Sequence, residues 1–371
     1  MALSAVALQS AARDKIDLSP LAWDITLDPQ AQWANDKLFT PPVTMASLPV
    51  NLPTGGWQLL DHPQKTGVHL PATVEGEMWG WNGQTYGVTG NYVGVSWFRT
   101  QVDVPANWQG KRIALQFDAV RFRAEIFVNR QLVGYDLVNS TPFEVDITPY
   151  AKVGHKNEVA VRITDPNGNF NWKDSQCYAW GAYLTNPSHG FGGITGRVHL
   201  VATDNTFIRD MFVENTPAAS TVKVHIAAEG VKQATPLKLE LRERGSNKVV
   251  WSRQEQMDGS EKTLTLSLPH AKLWSVEEPN LYELTAKLGN DELTQRFGFR
   301  WFEVRDVKGD RQFYLNGKRI TLITAISWSF WPDNGITPSR ELAYKQVRDA
   351  KQLGMHMLNF HRTIGNTDVL N

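Results

Sequence analysis

The chain has 371 residues, too many for one ordinary domain and enough for two or three. Its 38 Lys and Arg balance 38 Asp and Glu, and no basic patch is interleaved with aromatics; this excludes the long-range field of a nucleic-acid binder. One cysteine, Cys177, excludes an intrachain disulfide framework and a CxxC metal site, and no stretch approaches the roughly 20 apolar residues of a membrane helix.

The chain opens on "MALSAVALQSAARDK", with a short small-apolar run from Ala2 to Leu8 and no basic residues before it. That is a poor complete signal peptide, readable as the remnant of one or as a disordered tail, so the compartment stays open, with a periplasmic or secreted protein favoured slightly over a cytoplasmic one. Residues 1–50 read as an irregular N-terminal segment. Pro29, Pro41, Pro42, Pro49 and Pro53 break regular structure across 15–56, which is expected to wrap over a domain surface.

From Trp97 the period becomes two. "SWFRTQVDV", "KRIALQF", "NEVAVRI" and "GRVHLVA" each place apolar residues on one face, and "AEIFVNRQLVGYD" reads as two strands turning at Asn129-Arg130. Residues 51–204 are therefore expected to form an antiparallel sandwich or jelly roll. A second β block over 205–301 alternates in "TVKVHIAAEG", "TPLKLELRERG", "EKTLTLSLP", "NLYELTAKLGN" and "ELTQRFGFRWFEV". Its size suits an immunoglobulin-like sandwich without a disulfide.

The pattern changes again over 302–371. "RQFYLNGKRI" predicts a hairpin turning at Asn316-Gly317. "RITLITAISW" and "MHMLNF" are apolar runs, as expected of strands buried on both faces. Between them "TPSRELAYKQVRDAKQLG" predicts a helix with Thr337 as N-cap, Pro338 at its first position and Gly354 at its end. Ala343, Val347, Ala350 and Leu353 mark its inner face. This β–α–β order begins a parallel α/β unit.

Candidate binding residues cluster in "DPNGNFNWKDSQCYAWGAYLTNPSHGFGG", a long glycine-rich and aromatic loop. Trp172, Tyr178, Trp180 and Phe191 offer flat faces for sugar rings, and Asn171, Asp174 and His189 offer polar groups for hydroxyls. The plainer account is that these aromatics plug the loop onto the sandwich. Asp165 reads first as turn chemistry and second as a polar rim residue. Glu75 and Glu77, two apart, read as a solvated pair. Fourteen tryptophans are unusual, but core packing accounts for most. His356 and His361 lack metal-ligand spacing, no nucleophile elbow, GxGxxG or P-loop is present, and neither metal nor cofactor is expected.

The order sandwich, sandwich, βαβ meets specific words. "SWFRTQVDVP", "IALQFDAVRFRAEIFVNRQLVGYD", "TPFEVDITPYAKVGHKNEVAVRI" and "GFGGITGRVHLVAT" resemble the sugar-binding domain of glycoside hydrolase family 2. "LWSVEEPNLYELTAKL" and "RFGFRWFEV" resemble the end of that family's immunoglobulin-like domain, and "FYLNGKRITLITAISW" and "AKQLGMHMLNFHRT" the start of its TIM barrel. The resemblance covers about residues 50–371. It implies a mainly β chain: a galactose-binding-like jelly roll, an immunoglobulin-like sandwich, then the first β-α-β piece of a truncated TIM barrel.

The resemblance also implies a carbohydrate ligand, and substrate contacts from His361 and Arg362 after the second barrel strand. It departs at "TAISWSFW", where the family often has Gly-x-x-x-His, and at Asn359, where it often has Arg. Retaining hydrolysis needs two carboxylates about 5–5.5 Å apart. The family carries them on later barrel strands, and a whole barrel takes about 250 residues. The expectation is a carbohydrate-binding and scaffolding portion without catalytic residues of its own. A stand-alone lectin-like module and a purely structural protein are the alternatives. An unclosed barrel sheet further suggests a swapped or homo-oligomeric arrangement.

Overall fold

The computed structural model describes residues 13–33, 44–78, 92–138, 140–165, 178–180, 183–185, 192–327, 339–360, 365 and 367–370. The chain divides into two compact units. One comprises 15–201 with 324–371, the other 202–323 with the stretch through Asp14.

In the first unit a six-stranded sheet runs in the order Lys65–Val68, Trp23–Asp28, Gly94–Asp103, Lys156–Asp165, Arg123–Val128, Gln131–Asp136. A four-stranded sheet takes Asp14–Asp17, Val198–Thr203, Arg112–Phe117 and Phe143–Asp146. Its inward residues include Ile113, Leu115, Phe117, Val198 and Leu200, all buried. The turn at Asn129-Arg130 has φ of 50° and 67°, the double left-handed geometry that suits a two-residue hairpin.

Residues 15–56 are not irregular throughout, contrary to the expectation from their prolines: 48–56 carry no helix or strand, but Asp14–Asp17 and Trp23–Asp28 are strands. Trp23–Asp28 is an inner strand, paired with Lys65–Val68 on one side and Gly94–Asp103 on the other. Trp23, Ile25 and Leu27 are buried at period two. Six residues between proline-containing stretches suffice for a strand, and the prolines fall outside it.

The six-stranded sheet is covered on both faces. Trp97 and Phe98 point to opposite sides, and both are fully buried. On the Trp97 side, Trp57 and Leu60 of the one-turn helix Trp57–Asp61 pack with Trp97, Phe127, Val95 and Ala160. Trp57 meets Trp97 and Phe127 edge-on, with ring centroids 5.8 and 5.4 Å apart.

The second unit sets a three-stranded sheet (Phe207–Asn215, Thr221–Glu229, Glu261–Ser267) with a four-stranded one (Val249–Met257, Thr235–Glu243, Tyr282–Leu288, Asp291–Phe297). Both sheets feed one core, with Met211, Val224 and Leu266 from the first and Leu239, Met257, Leu284 and Phe297 from the second. Tyr282 is buried, and its hydroxyl accepts from the Lys272 N–H at 2.8 Å. Tyr282→Phe leaves that N–H without its acceptor. The expected loss, about 1 kcal/mol in urea unfolding of this unit, checks the assignment.

A hairpin follows, Phe302–Val307 with Asp310–Leu315, and the chain turns at Asn316-Gly317 into Lys318–Arg319. Asn316 and Gly317 both have positive φ, as the Asn-Gly pair requires.

Thr324–Ser327 and Met357–Phe360 pair in parallel, joined across the helix Arg340–Gln352. The parallel sense agrees with the sequence; the burial does not. Ile326 is 62% exposed and Met357 41%, because a two-stranded sheet lacks layers to cover both faces. Thr337 and Pro338 lie outside the described residues. The N-cap is Ser339, whose Oγ accepts from the Leu342 N–H. Of the expected inner face, Ala343 is buried, whereas Leu353 is exposed next to Gly354, which ends the helix at φ 74°.

Candidate functional site

The site forms where three segments of the first unit meet at one end of the six-stranded sheet. Asp165 ends the strand Lys156–Asp165 and stands opposite Gly94. Past the loop, Gly193–Ile194 pairs with Ala72–Thr73. On its other side Gly193 exchanges two backbone hydrogen bonds with Arg121, at 2.8 and 2.6 Å. Thr73 then caps a single turn, Val74–Glu77: its Oγ1 accepts from the Gly76 N–H at 3.1 Å, and the Val74 N–H donates to the Gly192 carbonyl at 2.9 Å.

This turn carries Glu75 inward. Glu75 is fully buried, and among the described residues neither carboxylate oxygen has a hydrogen-bond partner of normal geometry. Burial pushes its pKa well above the usual glutamate range, and the negative charge of Asp165 adds to that. The Arg121 guanidinium and the backbone N–H groups of Glu75 and Gly192 oppose the shift only in part. The reading of Glu75 and Glu77 as a solvated pair is therefore corrected. Glu77 faces Lys65 at 3.8 Å near solvent, but a helical turn separates the two carboxylates instead of a strand aligning them.

A second ionic cluster lies along the covered face of the sheet. Glu125 stands directly opposite Arg162 in the ladder and accepts from Arg162 at 2.6 Å, from Arg123 at 3.2 Å and from Asn51 at 2.7 Å. Arg123 also lies over the Tyr135 ring, 5.3 Å from its centroid. At the neighbouring strand end, burial pushes Asp136 up to about 6.

Of the residues selected from sequence, Asp165 is buried (2% exposed) instead of standing on an open rim. Its Oδ2 would lie 2.7 Å from a Cβ added at Gly192, so it packs against the chain re-entering after the loop. Tyr178 and Trp180 belong by backbone to a short antiparallel ladder, Tyr178–Trp180 with Tyr183–Thr185. Trp172, His189, His361 and Arg362, with Asn171, Asp174 and Phe191, lie outside the described residues. Trp23, Trp97 and Trp108 are core residues, in line with the packing account. Among the described residues no group of three His, Cys, Asp or Glu is placed to hold a metal ion, and no helix is long and apolar enough to cross a membrane.

Sequence reasoning missed Glu75, Arg121, Arg123, Glu125 and Arg162. One signal was present: Arg123 and Glu125 alternate with Ala124 and Ile126 but share their face with Phe127. An aromatic residue on the supposedly wet face indicates a cover over that face, and so over the charges too.

Residues 22–204 match the sequence model for the sugar binding domain of glycosyl hydrolases family 2, and residues 206–300 match a second model of glycosyl hydrolases family 2. A β-galactosidase of Clostridium acetobutylicum is 29% identical over 290 residues, covering 76% of this chain and 29% of that protein. A putative β-glucuronidase of Formosa agariphila is 26% identical over 326 residues, covering 83% and 28%. The chain thus spans under a third of the length of these relatives. Among solved structures, a Ruminococcus gnavus β-glucuronidase superposes with a TM-score of 0.70 at 17% identity, over 98% of this chain and 56% of that one.

Proposed function

The chain belongs to glycoside hydrolase family 2, and from that premise we propose that it is the carbohydrate-binding and scaffolding portion of a β-glycosidase. The observation that carries this reading is the order of the two family matches, which tile residues 22–300 over the two compact units. The strand orders support a finer architecture. Ten strands in two sheets suit a jelly-roll sugar-binding domain, and three plus four antiparallel strands around one core suit an immunoglobulin-like domain. The parallel pair with its crossover helix suits the opening of a TIM barrel, here spanning 302–371 with the preceding hairpin.

Hydrolysis itself is assigned to carboxylates outside this chain. Glu75 and Asp165 form the carboxylate pair at the candidate site, and both are closed off from solvent. A general acid and a nucleophile must flank the glycosidic bond, so these two cannot serve. The carbohydrate ligand is proposed to meet the loop bearing Trp172, Tyr178, Trp180 and His189, and His361 and Arg362 beyond the second parallel strand. The R. gnavus enzyme has been solved in complex with D-glucuronic acid, which supports a sugar ligand without choosing one for this chain.

The test uses the 371-residue chain with nitrophenyl β-galactoside, β-glucuronide and β-mannoside, and with immobilised glycans. Glycan retention at millimolar sugar without release of nitrophenol is expected. Sustained turnover would overturn the division of labour, and retention by no glycan would overturn the binding role.

A further inference from the structure

Glu75 is fully buried, and among the described residues neither of its carboxylate oxygens has a hydrogen-bond partner of normal geometry. Buried polar groups in native proteins are otherwise almost always paired, so its state needs an explanation. The charges that face it are few. Asp165 comes from the end of strand Lys156–Asp165 and Arg121 from the segment before strand Arg123–Val128. On its own turn, Glu77 is directed to Lys65. The other buried arginines nearby, Arg123 and Arg162, are engaged by Glu125. Among the described residues, an ionised Glu75 meets the repulsion of Asp165 and only a partial offset from Arg121, with neither carboxylate oxygen in a hydrogen bond of normal geometry.

The position of this group gives the proton a structural consequence. Segment 166–191 has two stems, Asp165 before it and Gly192–Gly193 after it. Asp165 packs on Gly192, and Gly192 accepts the Val74 N–H at the start of the turn that holds Glu75. Gly193 is gripped from both sides, by Thr73 and by Arg121. The turn that holds Glu75 and the segment bearing Arg121 thus each touch the Gly192–Gly193 stem and also bear on the Glu75 carboxyl.

We infer that Glu75 is held as a carboxylic acid facing the Asp165 carboxylate, and that this proton clamps the two stems of segment 166–191 together. Ionising Glu75 places a second negative charge beside Asp165 in a site closed to water, which drives the Thr73–Glu77 turn away from the Asp165–Gly192 stem. The sign follows from the raised pKa. The folded chain keeps a proton that the unfolded chain releases above the usual glutamate value of 4.5. Stability is complete below that pH, falls as pH rises towards the folded pKa, and levels above it. Within that window each pH unit lowers the folding equilibrium constant by about tenfold. Asp136 acts in the same direction up to its value of about 6, and His199, whose pKa burial lowers, acts in the opposite direction up to the ordinary histidine value of 6.5, so the contribution of Glu75 is read above both.

The experiment compares the full chain with Glu75→Gln, which keeps the shape and removes the titration. Infrared difference spectra of the chain against Glu75→Gln, in which Asp136 cancels, should show a carboxylic-acid C=O band that persists above the ordinary glutamate value. Trypsin reports on the stems through Lys173, the one Lys or Arg of residues 166–191. The ratio of wild-type to variant cleavage there should be near one at low pH and rise several-fold as Glu75 ionises. Absence of the acid band in the wild type overturns the proton, and a pH-independent cleavage ratio overturns the clamp. Asp165→Asn serves if Glu75→Gln does not fold. Removing the neighbouring charge should move loss of the acid band to lower pH, and a band indifferent to this change overturns the pairing.

Discussion

Glu125→Ala is expected to destabilise the first unit by about 3–5 kcal/mol. The side chains of Arg123 and Arg162 are 1% and 2% exposed, and among the described residues both contact the Glu125 carboxylate. Its removal leaves two buried cations without that counter-charge, while Asn51 loses its acceptor. The loss comes from stranded charge instead of the cavity, and this can be tested. Replacing Arg123, Glu125 and Arg162 together by apolar residues of similar length should recover most of the stability, because a well-packed apolar set avoids the desolvation of all three. Urea unfolding followed by tryptophan fluorescence suits the measurement, since Trp57 and Trp97 pack on the same face. If the single and triple variants were equally unstable, the cluster would matter for its packing alone. The effect should also change little with salt, as buried pairs are screened far less than surface ones.

That cluster marks the limit of what the sequence discloses. The strands Gly94–Asp103, Arg112–Phe117, Lys156–Asp165 and Val198–Thr203 were legible because their inward residues alternate with a clear period of two. Trp23–Asp28 was hidden: its alternation spans three apolar residues, and nearby prolines dominate any longer window. Arg123, Glu125 and Arg162 were legible as strand residues but not as buried ones. Periodicity identifies a second face without saying whether another segment covers it, and here the cover comes from Trp57 and Leu60, far along the chain. Glu75 escaped for a related reason. Its burial depends on a single capped turn seating it against Asp165 and Arg121, segments about 90 and 46 residues away in sequence. The family itself was legible in "GFGGITGRVHLVAT" and its companions, while a physical reason for the Gly-Gly-Ile in that stretch became available only from the ladder around Gly193.

Gly193→Ala is the sharper test of that ladder. A Cβ at this position would lie 2.3 Å from the Ala72 carbonyl oxygen and 2.7 Å from the Thr73 Cα, both backbone atoms that cannot swing aside. Gly193 also holds its two hydrogen bonds to Arg121 on the other flank, so retreat from Thr73 is blocked. Either the pairing with Ala72–Thr73 or the pairing with Arg121 must open. An overpacking cost of about 3 kcal/mol is expected, at the upper end for an added methyl because the obstructing atoms are main chain. The neighbouring Gly192→Ala meets the Asp165 Oδ2 at 2.7 Å, which can rotate away, and the Asp165 Cβ at 2.9 Å, which cannot, so it too forces a shift of the stem. Hydrogen exchange distinguishes the outcomes by residue. Loss of protection at the Gly193 and Arg121 amides, with the Arg112–Phe117 and Val198–Thr203 strands still protected, is the expected pattern. Uniform loss across the unit would mean that the junction is part of the global core, and unchanged protection would mean that the close approach at Ala72 is not present in solution. Because Thr73 leads directly into the turn carrying Glu75, opening on that side should also admit water to the Glu75 carboxyl and return its titration towards the ordinary glutamate range.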